Sequence, residues 1–158
     1  MQQATLVFLI KREKSGKIAK ILLAMKKRGF GKGRWNGVGG KPETSETIQQ
    51  CAKREAREEI GVTVGKLQKI GMIRFRFKFK KVFDQNVYFY LCERWQDKPT
   101  ESEEMKPRWF KIDKIPYAKM WPDDKFWMPI ALKNKKFTGS ILFGQDDKII
   151  ENKICEIK

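Results

Sequence analysis

Apolar and polar residues alternate along this chain in a way that marks out its elements. Residues 5–11 and 17–26 are apolar runs, and the polar stretch KREKSGK between them has Ser15-Gly16 at its tip. That pattern predicts two strands joined by a hairpin turn. Residues 46–60 carry Ile48, Ala52, Ala56 and Ile60 among Glu, Gln, Lys and Arg. The spacing predicts a helix with one apolar stripe, ending at Gly61, with β-branched Val62, Thr63 and Val64 following as a strand. Residues 69–80 alternate strictly: Ile73, Phe75, Phe77 and Phe79 fall on one face, Arg74, Arg76, Lys78 and Lys80 on the other. This predicts a half-buried strand. A nucleic-acid platform of aromatic and basic side chains has the same composition, but any half-buried strand shows this alternation. Residues 86–93 are apolar on both faces and predict a central strand. An acidic loop at residues 98–106 precedes an element opening at Arg108-Trp109-Phe110. A loop and a helix capped by Asp123 or Asp124 then run to about residue 133. Residues 137–143 and 148–157 predict closing strands.

The first helix carries unusual charges. Glu55, Glu58 and Glu59 stand at i, i+3 and i+4 and converge on one side. Glu59 falls inside the apolar arc, and Glu55 lies at its edge. A carboxylate turned toward the core needs a partner, because an unpaired buried charge is very costly. A hard divalent cation would serve three mutually repelling carboxylates. An exposed helix laced with pairs to Lys53, Arg54 and Arg57 is the alternative. The glycine loop just before the helix, Gly39-Gly40-Lys41-Pro42, favours the first reading. A basic, Gly-rich stretch from Lys26 to Arg34 could also cradle phosphate, although its glycine spacing is neither a Walker A motif nor a dinucleotide fingerprint.

Composition narrows the chemistry. The chain has 158 residues, the size of one domain over residues 1–158. It has no His, which removes His-dependent triads and His-ligated zinc and leaves carboxylates, Lys, Tyr or metal-activated water for proton transfer. Cys51, Cys92 and Cys155 form no CxxC and suit a reduced cytoplasm. Residues 1–10 are too short an apolar run for a signal peptide, and no membrane span is expected. A net charge of +16 favours anionic partners, nucleotide or nucleic acid, or reflects a Lys-rich proteome alone.

The run from Gly40 through Glu46 to REAREEIGV at residues 54–62 resembles the Nudix box of the Nudix hydrolases. Ala56 stands where that box usually has a larger aliphatic. Two further runs, MKKRGFGKGRWNGVGGK and ESEEMKPRWFKIDKIPYAKMWPDDKFWMPIALKNKKFTG, are similar to the oxidised purine nucleoside triphosphate hydrolases of the animal type. The resemblance implies an α/β fold, an α/β/α sandwich around a mixed β-sheet. It implies Mg2+-dependent conversion of a modified purine nucleoside triphosphate (8-oxo-dGTP, 2-oxo-dATP) to the monophosphate and pyrophosphate, with Mn2+ as a substitute cation, by a cytoplasmic monomer.

Carried over residue by residue, the resemblance puts the metal on the Gly39 carbonyl, Glu55, Glu58, Glu59 and Glu104. Glu55, Glu59, Glu104 and Arg54 become the catalytic group, with Glu59 or Glu104 as general base. Asn36, Asp123 and Asp124 would read the purine edge, Trp121 and Phe75 would wall the base, and Thr5, Lys26, Phe30, Gly39 and Gly40 would line the pocket. A carboxylate beside an apolar pocket can keep its proton, and so could serve as donor or acceptor for several purine tautomers. Residues 80–86 are more basic than in the animal enzymes, with Gln85 near the place of a Met. The hairpin at residues 14–17 is longer. Two other readings remain: hydrolysis of RNA 5′ ends or of nucleotides broadly, and a basic nucleic-acid-binding module. The WPDD run argues against the first, and the intact acids argue against the second.

Overall fold

The computed structural model describes residues 1–158. Its centre is β1 (Gln2–Arg12), which pairs in parallel with β6 (Gln85–Cys92) along one edge. The other edge of β1 is divided. Ile10 to Arg12 pair with β2 (Ile18–Lys26), whereas Val7 exchanges backbone hydrogen bonds with Val38 and the Thr5 N–H donates to the Gly40 carbonyl. The short β3 (Trp35–Asn36) and β8 (Met105–Lys111) extend the sheet beyond β2. On the opposite side, β5 (Gln68–Phe77) pairs with β6 and, in parallel, with β9 (Lys136–Phe143). β10 (Ile149–Asn152) and β11 (Cys155–Ile157) both pair with β9, completing a mixed sheet of nine strands. β4 (Thr63–Val64) and β7 (Trp95–Gln96) form a separate ribbon.

Strand period 2 gives the sheet two apolar faces, each covered by one helix. Val7, Leu9, Leu22 and Tyr90 pack against Ala52, Ala56 and Ile60 of α1 (Ile48–Ile60). Phe8, Ile10, Phe89 and Phe137 pack against Trp127, Met128 and Ala131 of α2 (Asp124–Leu132). Trp127 centres the second layer, with ring centroids 4.6 Å from Phe89, 5.1 Å from Phe137 and 5.4 Å from Phe8. The layered α/β/α arrangement expected from the resemblance is therefore present.

Several boundaries differ from the sequence reading. The first helix starts at Ile48, because Thr47 caps it reciprocally with Gln50. Glu46 is thereby left outside the helix and free to reach Arg54. The strand expected over residues 69–80 stops at Phe77, where the Asp84 carboxylate accepts the Phe77 N–H at 2.8 Å. The chain then turns through Lys81–Phe83, and Phe79 is exposed rather than inward. Ile73, Phe75 and Phe77 are buried while Arg74 is in water, so the aromatic and basic side chains lie on opposite faces and form no joint platform. The closing strand over residues 148–157 is broken in two. Gly139 permits this, since a Cβ there would lie 2.4 Å from the Lys153 carbonyl oxygen.

Thr47→Ala removes the hydroxyl that accepts the Gln50 N–H and should cost about 1 kcal/mol of unfolding free energy. Urea titration would show this as a lower midpoint with an unchanged slope. An unchanged midpoint would mean that packing alone sets the start of α1.

Candidate active site

The divided edge of β1 opens a cavity of about 310 Å³ on the α2 side of the sheet. Phe75 and Phe77 of β5 and Val87 and Phe89 of β6 line it together with Ala4 and Leu6 of β1. Phe30, Phe83, Trp121 and Phe143 form an aromatic wall: Phe30 stacks on Phe83 at 4.2 Å and lies 5.0 Å from Trp121, and Trp121 lies 5.5 Å from Phe143. All ten residues that the sequence assigned to substrate binding line this one cavity: Thr5, Lys26, Phe30, Asn36, Gly39, Gly40, Phe75, Trp121, Asp123 and Asp124. Thr5 differs in detail. Its hydroxyl is directed at the Gly40 carbonyl (3.5 Å) and Cys51 (3.7 Å), so it holds the glycine loop and offers the cavity no free donor. Phe83, Phe77 and Phe143 were missed. Each is one aromatic among eleven phenylalanines, and only the turn after β5 and the end of β9 bring them here.

The Asp123-Asp124 pair is not a helix cap. Asp123 occupies the position before α2, yet its carboxylate bonds no backbone N–H. Both acids are buried, at 2% and 3% exposure. The Trp127 indole N–H is shared between them, 3.1 Å from Asp123 and 3.0 Å from Asp124. Burial raises the proton affinity of both, Asp123 to about 6 and Asp124 well above the usual carboxylate range. Each also affects the other. The charge on Asp123 raises Asp124 further, and the proximity of the two carboxyls favours the anion on Asp123 and the proton on Asp124. One side-chain oxygen of Asp124 has no partner within the protein, so the pair keeps an unused polar atom beside the cavity. Asn36 Oδ1 accepts the Gly37 N–H at 2.8 Å, which leaves the Asn36 NH2 for a ligand.

The acids of α1 lie behind the glycine loop that rims the cavity. The close approach of the glycine loop to β1 brings them there, because a Cβ on Gly39 would sit 1.7 Å from the Thr5 carbonyl oxygen. A Cβ on Gly40 would sit 2.6 Å from the Glu55 carboxyl group. Glu59 is 4% exposed, and the Gly39 N–H reaches its Oε1 at 3.3 Å while Oε2 has no partner. Burial first, and then the neighbouring Glu55, push Glu59 up to about 9. Arg54 is the hub of the remainder. It forks onto Glu46 at 2.8 and 2.9 Å and reaches Glu55 at 2.8 Å, Glu58 at 3.2 Å and the Lys41 carbonyl at 3.1 Å. This contact holds Glu46 at about 2. Glu104 stands apart, half-exposed, with its carboxylate 3.5 Å from Arg28 and its carbonyl accepting the Lys27 N–H.

No three acidic side chains converge on one point, since Glu55 and Glu58 are both drawn onto Arg54. The donor set nevertheless fits a hard divalent cation. It offers only oxygen, and it includes a buried carboxylate oxygen that no protein group satisfies.

The NUDIX domain family model matches residues 1–129. Over 139 residues the chain is 48% identical to the oxidized purine nucleoside triphosphate hydrolase of Danio rerio, covering 88% of each protein. Over 138 residues it is 46% identical to the protein of the same name from Mus musculus, covering 87% of this chain and 88% of that one. Among solved structures, the mutator MutT protein of Bacillus halodurans superposes with a TM-score of 0.82 at 23% identity, covering 98% of this chain and 97% of that one. That likeness concerns the fold.

The buried acid pair has a consequence for stability. A carboxyl group that titrates higher folded than unfolded holds its proton longest in the native state. Native stability therefore falls as pH rises from about 4, where the unfolded chain ionises, through about 6 for Asp123 and above for Asp124. Asp124→Asn should relieve this loss. Its melting temperature relative to the unmodified chain should rise between pH 4.5 and pH 8. A difference that stays constant over that range would show that the pair carries no strained charge.

Proposed function

The chain belongs to the Nudix hydrolase family, and we propose that it converts modified purine nucleoside triphosphates of the 8-oxo-dGTP and 2-oxo-dATP class to monophosphate and pyrophosphate, cleansing the nucleotide pool. One observation carries this reading: a single cavity has a buried acid pair among aromatic walls, and the glycine loop that rims the same cavity packs directly on Glu55 and Glu59 of α1. The high identity to two hydrolases named for oxidised purine nucleoside triphosphates supports the same substrate class.

In this reading the purine lies against Trp121 and Phe30, with its edge on Asn36, Asp123 and Asp124. Asp124 donates a proton and Asp123 accepts one, so one pair of side chains serves both faces of a tautomeric base. Lys26, Lys41, Arg28 and Lys32 hold the phosphates, while Arg34 is turned onto the Trp121 ring. Glu55, Glu58 and Glu59, the Gly39 carbonyl and Glu104 would hold Mg2+, or Mn2+ in its place. The cation supplies charge neutralisation for the polyphosphate and activation of water. Arg54 restrains Glu55 and Glu58 so that their oxygens are pre-arranged. We assign the proton acceptor to Glu59, because its buried Oε2 has no partner in the protein; Glu104 stands on the rim beside Arg28. Water then enters in line with the bond that separates monophosphate from pyrophosphate. We take residues 1–158 as one domain acting as a monomer, and a cytoplasmic location suits its three free thiols.

Pyrophosphate release should be measured for 8-oxo-dGTP, 2-oxo-dATP, O6-methyl-dGTP, dGTP, dATP and a 5′-triphosphorylated RNA. A kcat/KM for a modified purine well above that for dGTP supports the reading. Equal, weak turnover of all nucleotides, or release from RNA alone, would contradict it. Glu59→Gln should remain folded and lose turnover by orders of magnitude, and near-normal turnover would remove Glu59 from the mechanism. In the unmodified chain kcat/KM should fall as pH drops below about 6, where Asp123 gains its proton. Asp123→Asn should abolish that acid limb, and an identical pH profile would show that Asp123 does not read the base.

A further inference from the structure

The aromatic wall is held from behind by residues that do not touch the cavity. The Arg34 guanidinium carbon lies 4.0 Å from the centroid of the Trp121 ring. Arg34 Nη1 lies 3.1 Å from Oδ2 of Asp147, in the turn between β9 and β10. The other Asp147 oxygen lies 3.8 Å from Lys80 Nζ, in the turn after β5. Three segments far apart in sequence thus meet on one carboxylate. Neither Arg34 nor Asp147 lines the cavity, whereas Trp121 does.

Two features show that this contact is constrained. Asp146 and Asp147 both have positive φ, 55° and 56°, a conformation that consecutive non-glycine residues keep only where their surroundings hold them. Arg34 and Asp147 are also largely sheltered, with side chains 28% and 19% exposed, so their pairing is less screened than a surface ion pair. Arg34 itself sits on a fixed backbone, its carbonyl accepting the Lys26 N–H and its N–H donating to the Gly31 carbonyl, both at 3.1 Å. A planar cation stacked on one indole face fixes the plane of the ring. The same guanidinium favours the anionic form of both acids of the base-reading pair.

We propose that Asp147 is a positioning residue for base recognition: through Arg34 it fixes the plane of Trp121, against which a purine stacks. The proposal rests on the reading of this cavity as a purine site. Asp147 touches no part of the substrate. It acts on how well the base binds, and the steps at the phosphates run independently of it.

The experiment compares the unmodified chain with Asp147→Asn, Arg34→Lys and Lys80→Ala. It measures binding of 8-oxo-dGMP by calorimetry, KM and kcat for 8-oxo-dGTP, and melting temperature. Asp147→Asn should weaken 8-oxo-dGMP binding and raise KM about fivefold, the change that a cation–π contact of this kind supports, with kcat nearly unchanged. Arg34→Lys keeps a charge for Asp147 and gives up the planar face, so it should show the same split; it also serves as the test if Asp147→Asn does not fold. Lys80→Ala, which touches Asp147 but not the wall, should leave Kd within about twofold of the unmodified chain. A fall in melting temperature with Kd and KM unchanged in both Asp147→Asn and Arg34→Lys would overturn the proposal and leave a purely structural ion pair. Failure of the unmodified chain to bind any purine monophosphate would overturn the reading of the cavity itself, and the proposal with it.

Discussion

The close contact between the glycine loop and β1 is the constraint on which the remaining structure depends. Gly39 lies so near the Thr5 carbonyl that a methyl group has no room, and Val38 and Gly40 take the backbone bonds that β2 would otherwise supply. Dividing the edge of β1 in this way has two effects. It opens the cavity beside the strand. It also seats α1 against the loop that rims that cavity, with Glu55 and Glu59 facing the loop. A side chain at Gly39 would push the loop off β1, and one at Gly40 would push it off the helix.

The cavity is polarised by how its acids are solvated. At the base end, Asp123 and Asp124 have no cation in direct contact and only the shared Trp127 N–H between them, so burial decides their titration and keeps a proton in the pair. On the α1 side of the glycine loop, Arg54 binds Glu46, Glu55 and Glu58 directly and keeps Glu46 anionic far below neutral pH. Glu59 lies between these two regimes, buried and bonded to one N–H, with one oxygen unpartnered. The same functional group, a carboxyl, thereby keeps its proton in one place and its charge in the other.

Much of this was legible in the sequence, for identifiable reasons. Helical spacing alone put Glu59 on the apolar face of α1, and there it is buried. Strict alternation located the inward face of β5, and failed at Phe79 because a side chain, Asp84, ends the ladder where the pattern continues. Local chemistry misread Asp123-Asp124, since two acids before a helix suit a cap until their burial against Trp127 is seen. Only the resemblance to purine triphosphate hydrolases pointed the other way. Phe83, Phe143 and Asp147 could not be assigned at all, and Arg34 reads in sequence only as part of a phosphate cradle: their places follow from turns, strand ends and, for Arg34 and Asp147, a contact more than a hundred residues apart.

The central claim is that the buried acid pair recognises a modified purine independently of the carboxylates that do the chemistry. Calorimetric titration of 8-oxo-dGMP and dGMP in the presence of EDTA tests this most directly, because it removes the metal and the scissile bond together. The unmodified chain should prefer 8-oxo-dGMP by at least about tenfold, the value of one hydrogen bond to a charged group. Asp123→Asn combined with Asp124→Asn should reduce the preference to within about twofold. Equal affinity for the two nucleotides in the unmodified chain, or a preference that survives in the double variant, would contradict that claim.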